Sequence, residues 1–224
     1  RHLDDRLGIS QDEARLKNRQ PAPLLPVVEH LLADKPEHIV PRTQPDPFDG
    51  NTHGFNMIVP ENQYNLGELY NLGIRKGTLS TEDRFKINEH IIQTILMLKR
   101  LPFPENMKHV AEIAGAHHET MIGTGYPRGL KKEQMSIPAR IMAIADIFEA
   151  LTAADRPYKK AKTVGDALRI MSFMRNDQHI DADLFELFLR SGIFRDYAEQ
   201  FLDPGQIDAV DIRTYLSSEG MSID

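Results

Sequence analysis

The chain has 224 residues, 41% hydrophobic and 27% charged, an ordinary globular composition that excludes collagen-like, mucin-like and wholly disordered chains. Its 27 Lys and Arg against 33 Asp and Glu give a net charge of −6, which argues against duplex nucleic acid as a partner, because that binding depends on clustered cations neutralising phosphates. With no cysteine there is no disulfide, thiolate metal site or thiol nucleophile, so a metal must be held by His, Asp or Glu.

Residues 1–20 lack the apolar core of a signal peptide, and the chain begins at Arg1 rather than Met, so it is read as a fragment. No apolar run approaches the roughly 18 residues of a membrane span, and the cytoplasm is the expected location. Ser10 with Glu13 has capping-box spacing for a short polar helix, and Leu24–Leu32 predicts another, ending near Asp34 and Lys35. Eight of the 14 prolines lie at or before Pro60, and residues 41–56 combine Pro, Gly, Asn and Thr with few aliphatics, so this stretch is expected to be loop or linker. Residues 1–60 are therefore set apart from a helical domain over 61–224.

From Glu61 onward the periodicity is helical. Ser80 with Asp83 predicts an N-terminal cap, and Phe85, Ile91, Ile92, Ile95 and Leu98 predict a long helix to about Arg100, stopped by Pro102 and Pro104. A second helix is expected from about Glu105 to His117 or His118, followed by a glycine-rich loop over Gly123–Gly129. A third, with Pro138 in its first turn, runs through Ile141, Ile144, Ala145, Ile147, Phe148 and Leu151 and is apolar nearly all round, hence expected to be central. Amphipathic segments near 163–175, 181–191 and 194–202 complete the chain. No alternating run reads as a strand, so the expected fold class is all-α.

Four candidate metal ligands fall on three successive predicted helices: His90, the pair His117 and His118, and Asp146. An acid inside Ile141-Met-Ala-Ile-Ala-Asp146-Ile-Phe has apolar neighbours, where an unpaired carboxylate is costly, so it needs a partner. Adjacent histidines on an ideal helix point about 100° apart, an arrangement that suits bracketing two ions, or an ion and an anion, better than chelating one. Each residue alone has a plainer reading: a surface or core histidine for His90, an arginine partner or backbone cap for Asp146.

The loop Gly123-Thr-Gly-Tyr126-Pro-Arg-Gly129 combines glycines that allow close ligand approach with an aromatic face and, in Arg128, a phosphate fork. It could cradle a nucleotide or simply be a tight connection. Asp155-Arg156-Pro-Tyr158-Lys159-Lys160-Ala-Lys162 follows the helix of Asp146. Its cations complement a helix C-terminus, and in an acidic chain they are also the best place for an anionic substrate.

His117-His-Glu119, Gly123-Thr-Gly-Tyr-Pro-Arg-Gly-Leu130, Ala139-Arg-Ile-Met-Ala-Ile-Ala-Asp-Ile-Phe-Glu-Ala-Leu-Thr152 and Asp155-Arg-Pro-Tyr-Lys159 together resemble HD-GYP domains, bacterial phosphodiesterases that hydrolyse cyclic di-GMP. The resemblance covers roughly residues 61–190. It implies a helical HD-type bundle in which His90, His117, His118 and Asp146 match ligands of a two- or three-metal centre. Nitrogen and oxygen ligands suit iron or manganese, with zinc and nickel also open. The implied chemistry is metal-assisted attack on a phosphodiester, the ions activating the nucleophile and neutralising phosphate charge. Tyr126, with Gly125 and Pro127 of its loop, would shape the substrate side, and Arg156 and Lys159 would hold phosphate oxygens of the cyclic dinucleotide. Family members are often joined to sensory or receiver domains, which are the expected upstream partners.

Two positions depart from the family. Its His-Asp doublet, with a Lys shortly after, should precede His90 near Glu61 and Asn65, yet no His-Asp pair occurs in the chain, so a catalytic residue there is unassigned. Gly67-Glu-Leu-Tyr-Asn-Leu-Gly-Ile-Arg-Lys-Gly-Thr-Leu79 resembles a variant in which the doublet lies farther upstream and residues 1–60 belong to an insertion. Ile122 stands where the family usually has Asp. The reading is therefore an incomplete C-terminal part of a cyclic di-GMP phosphodiesterase, with a degenerate module that binds the dinucleotide or a partner protein as the alternative. The other histidines, His2, His30, His38, His53, His109 and His179, carry no motif and are read as structural or exposed.

Overall fold

The computed structural model describes residues 32–43, 48–154 and 161–216, together with scattered positions between 11 and 30. Ser10 and Glu13 lie outside the described residues. In the predicted helix over 24–32, the described residues Leu24, Pro26, Val28, His30 and Leu32 are all non-helical. Leu24 is 92% exposed and Val28 88%, and packing of an apolar face is what holds a short helix.

The chain divides into two compact units, one of Arg1–Thr52 with Ile58–His90, the other of His53–Met57 with Ile91–Asp224. In the first, β1 (Ile39–Pro41) pairs antiparallel with β2 (Asn62–Asn65), with Val40 opposite Tyr64 and an irregularity after Val40. These strands correct the strand-free expectation. Three or four residues are too short to display alternation, and Asn-Gln-Tyr-Asn has no apolar face to betray it. The short helix α1 (Glu68–Leu72) starts on the Asp34 carboxylate, whose Oδ1 accepts the N–H groups of Leu69 and Tyr70 at 3.0 and 3.1 Å. Phe48 and Phe85 are buried with their rings 6.4 Å apart, and the Arg42 guanidinium lies 5.0 Å from the Phe85 ring centre.

Helix α2 (Thr81–Lys99) opens on the predicted N-terminal cap, which is reciprocal: the Asp83 N–H donates to Ser80 Oγ at 3.0 Å, and the Ser80 N–H to Asp83 Oδ2 at 3.4 Å. The division between the units falls inside this helix, after His90. Beyond that point Ile91, Ile92 and Ile95 are buried, as their spacing predicts.

In the second unit the helix expected over 105–118 is shorter. A 3₁₀ turn over Glu105–Met107 precedes α3 (Val110–Gly115), and His117 and His118 follow the helix instead of lying on it. A Cβ on Gly115 would come within 2.5 Å of Ile95 Cγ1, so the end of α3 is pressed against α2. Helix α4 (Ile137–Thr152) has Pro138 in its first turn and Ser136 as cap; the Ser136 hydroxyl donates to Glu112 of α3 at 2.9 Å, tying the two helices. Helices α5 (Val164–Asn176), α6 (Ala182–Ser191) and α7 (Ile193–Phe201) match the three amphipathic segments closely.

Ile144 and Phe148 of α4 meet Leu168 and Met171 of α5, Phe185 and Leu189 of α6, and Phe194 and Ala198 of α7 in the main core. Helix α4 is not buried all round. Ala139, Ala143, Ile144 and Phe148 face inward, but Ile141 is 48% exposed and Met142 and Ala145 are exposed with it. Apolar composition alone does not bury a residue, since there is too little polar surface to cover a protein. The fold is thus mostly helical, and among the described residues no helix is long and apolar enough to cross a membrane.

Candidate metal centre

His90, His117 and His118 each offer one ring nitrogen, and the three nitrogens lie within 4.8 Å of one another. Three of the four predicted ligands are therefore brought together, and Asp146 is not in that group. His90 lies 2.6 Å through Nδ1 from the Ile87 carbonyl, and His117 Nδ1 lies 2.8 Å from the Ala114 carbonyl. A carbonyl can only accept, so in the neutral rings Nδ1 carries the proton and Nε2 the lone pair. This backbone-fixed tautomer is the usual support for a metal-ligating histidine. The donor set is all imidazole nitrogen, which fits a divalent first-row transition ion.

Because His117 and His118 lie past the end of α3, their rings do not diverge as on an ideal helix. Their centres are 4.1 Å apart at an interplanar angle of 48°. The adjacent pair converges on one region, contrary to the diverging arrangement expected from helical geometry. Tyr126 stacks on the His118 ring, its ring centre 4.7 Å from that of His118 and 19° from parallel.

Asp146, on α4, is half-buried, because its neighbour Ala145 is exposed and Ile147 only partly covered. The expectation of a carboxylate enclosed in the core is corrected accordingly. Its charge reaches Tyr126: burial first, and Asp146 second, push the Tyr126 phenol above its ordinary value. Arg156 and Lys159 lie outside the described residues. The fork of Arg128 is turned inward, with Nε and Nη2 buried and without a hydrogen bond, and Nη2 3.6 Å from where a Gly115 Cβ would be.

Glu119 was not singled out from the sequence, yet it is fully buried beside the histidine pair. Its Oε1 accepts the Arg128 N–H and its Oε2 the Leu130 N–H, both at 2.8 Å. Burial pushes this carboxyl up, and the Arg128 and Leu130 amides pull against that. Gly125 approaches so closely that a Cβ there would lie 2.5 Å from both Glu119 Cα and the His118 carbonyl oxygen, and that same carbonyl accepts the Tyr126 N–H at 3.2 Å. The readable signal was an acid directly after two candidate ligands and before a glycine-rich loop.

Among the described residues, the other histidines are not part of the cluster, and His2 lies outside the described residues. His30 is exposed, His38 Nδ1 accepts the Lys35 N–H at 3.3 Å, and His53 contacts Lys99 Nζ at 2.9 Å. Burial lowers the pKa of His179. Ile122 is exposed and forms an isolated antiparallel bridge with Lys131, closing the base of the loop.

A family profile described as HD domain matches residues 26–184. Among curated proteins, the chain is 31% identical to the 3'3'-cGAMP-specific phosphodiesterase 1 of Vibrio cholerae over 147 residues, covering 62% of this chain and 33% of that protein. It is 38% identical to a cyclic di-GMP phosphodiesterase of Pseudomonas aeruginosa over 102 residues, covering 45% and 24%, and 33% identical to one of Thermotoga maritima over 117 residues, covering 52% and 31%. The chain spans a third or less of the length of these relatives. A helical architecture with three converging imidazoles, matched by that profile over most of its length, belongs to the HD domain family.

Proposed function

We propose that this chain is the site-bearing part of a metal-dependent phosphodiesterase of the HD-GYP type that hydrolyses a cyclic dinucleotide, cyclic di-GMP or 3'3'-cGAMP. The observation that carries the reading is the convergence of His90, His117 and His118 beside the Tyr126 loop. These three histidines would hold the metal, with Asp146 supplying a carboxylate from α4, and the nitrogen and oxygen donors suit iron or manganese. When bound, the ions supply Lewis-acid polarisation of the phosphate and an activated water.

The chain's own groups do the rest. The Nδ1 bonds of His90 and His117 hold their rings in register before any metal arrives. Tyr126, flat against His118, walls the centre on one side and offers its hydroxyl as a donor to the phosphodiester. By their place in the motif, Gly125 and Pro127 shape that wall, and Arg156 and Lys159 hold phosphate oxygens. The absence of a His-Asp doublet from the chain favours a second reading, a module that binds the dinucleotide without cleaving it.

Elemental analysis of the purified protein, followed by assays on cyclic di-GMP and 3'3'-cGAMP with Fe(II) or Mn(II) supplied, tests both. Bound metal with turnover supports the enzyme. Dinucleotide binding without turnover transfers the argument to the binding module. Neither metal nor dinucleotide binding refutes the reading altogether.

A further inference from the structure

We propose that Glu119 is a positioning residue, whose buried carboxylate docks the Gly123–Gly129 loop and thereby sets the Tyr126 ring against His118. This rests on the reading of the histidine cluster as the working site.

A carboxylate withdrawn from water is costly unless its oxygens are satisfied. Glu119 is fully buried, and each of its two oxygens takes one backbone amide from the far side of the loop, Arg128 and Leu130. Because amides two residues apart are gripped by one rigid group, the strand leaving Tyr126 has one position and one direction. The near side is fixed separately: the Thr124 N–H donates to Thr120 Oγ1 at 2.9 Å, the Gly123 N–H to the Thr120 carbonyl at 3.1 Å, and the Tyr126 N–H to the His118 carbonyl at 3.2 Å. Gly125 lets the loop close down on the His118–Glu119 backbone, where any Cβ would collide with main-chain atoms that cannot yield. The loop is thus clamped to the segment that carries the ligands themselves. In this arrangement Glu119 holds backbone amides of the loop and acts on the site through Tyr126.

The Tyr126–His118 stack gives a readout independent of metal and of activity. In protein labelled with ¹³C-histidine, the Tyr126 ring current shifts the ring-proton signals of His118, and Tyr126→Leu identifies that shift by removing it. Glu119→Gln keeps the shape of the side chain but presents an amide N–H₂ to one of the two backbone N–H groups, so one arm of the clamp is lost. The expected result is that Glu119→Gln moves the His118 signal in the same direction as Tyr126→Leu, while His38 and His179 stay put. The double variant is expected to move it no farther than Tyr126→Leu alone, because both changes act on one stack.

A His118 signal unmoved by Glu119→Gln but moved by Tyr126→Leu overturns the assignment, as does one that neither change moves. If Glu119→Gln loses the helical circular dichroism, Glu119→Asp, which keeps the charge but shortens the reach, carries the same test. Loss of fold in both variants would make Glu119 a purely structural residue and also overturn the assignment. In assays with cyclic di-GMP, Glu119→Gln is expected to lower kcat on the order of 10²-fold, the scale of a misplaced active-site group, with metal content unchanged. Failure of the unmodified protein to turn over would sink the catalytic reading and leave the spectral result standing, so the two failures are distinguishable.

Discussion

Asp181 offers the sharpest test of what holds α4 in place. It is fully buried at the start of α6, where its Oδ1 accepts the N–H groups of Asp183 and Leu184 at 3.0 and 3.4 Å, and it pairs with Arg140 of α4 and, at 3.4 Å, with Lys132. Removing a helix cap costs about 1 kcal/mol, and breaking a buried ion pair from one side costs about 3–5 kcal/mol, because the surviving charge is left without its counterpart. Arg140 would be a poor survivor, since its Nε is already buried without a hydrogen bond. Asp181→Ala is therefore expected to lose about 3–5 kcal/mol in urea denaturation. Asp181→Asn keeps the cap and should lose about 1 kcal/mol less. Adding Arg140→Met to Asp181→Ala removes the stranded charge and should return the loss to about 1 kcal/mol, the cap alone. The pH dependence has a definite sign. Burial raises the Asp181 carboxyl, but the Arg140 hydrogen bond, the Leu184 amide and Lys132 outweigh it and hold the group below its ordinary value. The stability that follows is fully present above the unfolded value of about 3.9 and disappears as pH falls through the lower folded value, so the gap between the unmodified protein and Asp181→Asn closes only below about pH 4. An Asp181→Ala loss under about 1 kcal/mol, or a gap that closes at neutral pH, would refute the account.

His118→Ala and His90→Ala are each expected to reduce the bound metal measured by elemental analysis with helical circular dichroism retained; unchanged metal with lost folding would make them core histidines. Gly125→Ala forces a methyl to 2.5 Å from Glu119 Cα and the His118 carbonyl oxygen, and should cost about 1–3 kcal/mol in thermal or urea unfolding, a neutral result counting against the clamped loop. Gln206 is buried with its amide donating to the carbonyls of Thr152 and Lys162 at 2.8 and 2.9 Å. Gln206→Ala leaves those two acceptors without it and should cost about 2 kcal/mol or more in urea unfolding, whereas a loss under 0.5 kcal/mol would mean water replaces it freely.

What could be read from the sequence was what depends on neighbours in the chain. The Ser80–Asp83 cap is an i, i+3 pair, and it forms as its spacing predicts. The helices over 81–99, 137–152 and 164–201 follow from apolar periodicity, and the structure adds caps at Ser136, Thr163 and Asp181, each acting within three residues of itself. The short strands were not legible, because Ile39–Pro41 and Asn62–Asn65 find each other across more than twenty residues with no pattern of their own.

The centre itself divides along the same line. Residue types and motif order pointed to His90, His117 and His118, but their geometry depends on where α3 stops, and α3 stops where Gly115 meets Ile95, a contact with a helix twenty residues away. Read as helical, the two histidines diverge; held beyond the helix end, their ring centres lie 4.1 Å apart. Asp146 went the other way, since apolar neighbours implied enclosure while the outer face of α4 stays exposed through Ile141, Met142 and Ala145. Glu119 escaped notice because its partners are main-chain amides, which carry no sequence signature, although a buried acid can be satisfied by backbone as fully as by arginine. For a loop that must hold one aromatic ring in one place, a rigid carboxylate gripping two amides is a better anchor than a salt bridge between long side chains, because it restrains the backbone itself and leaves no rotamer freedom to be lost again when substrate binds.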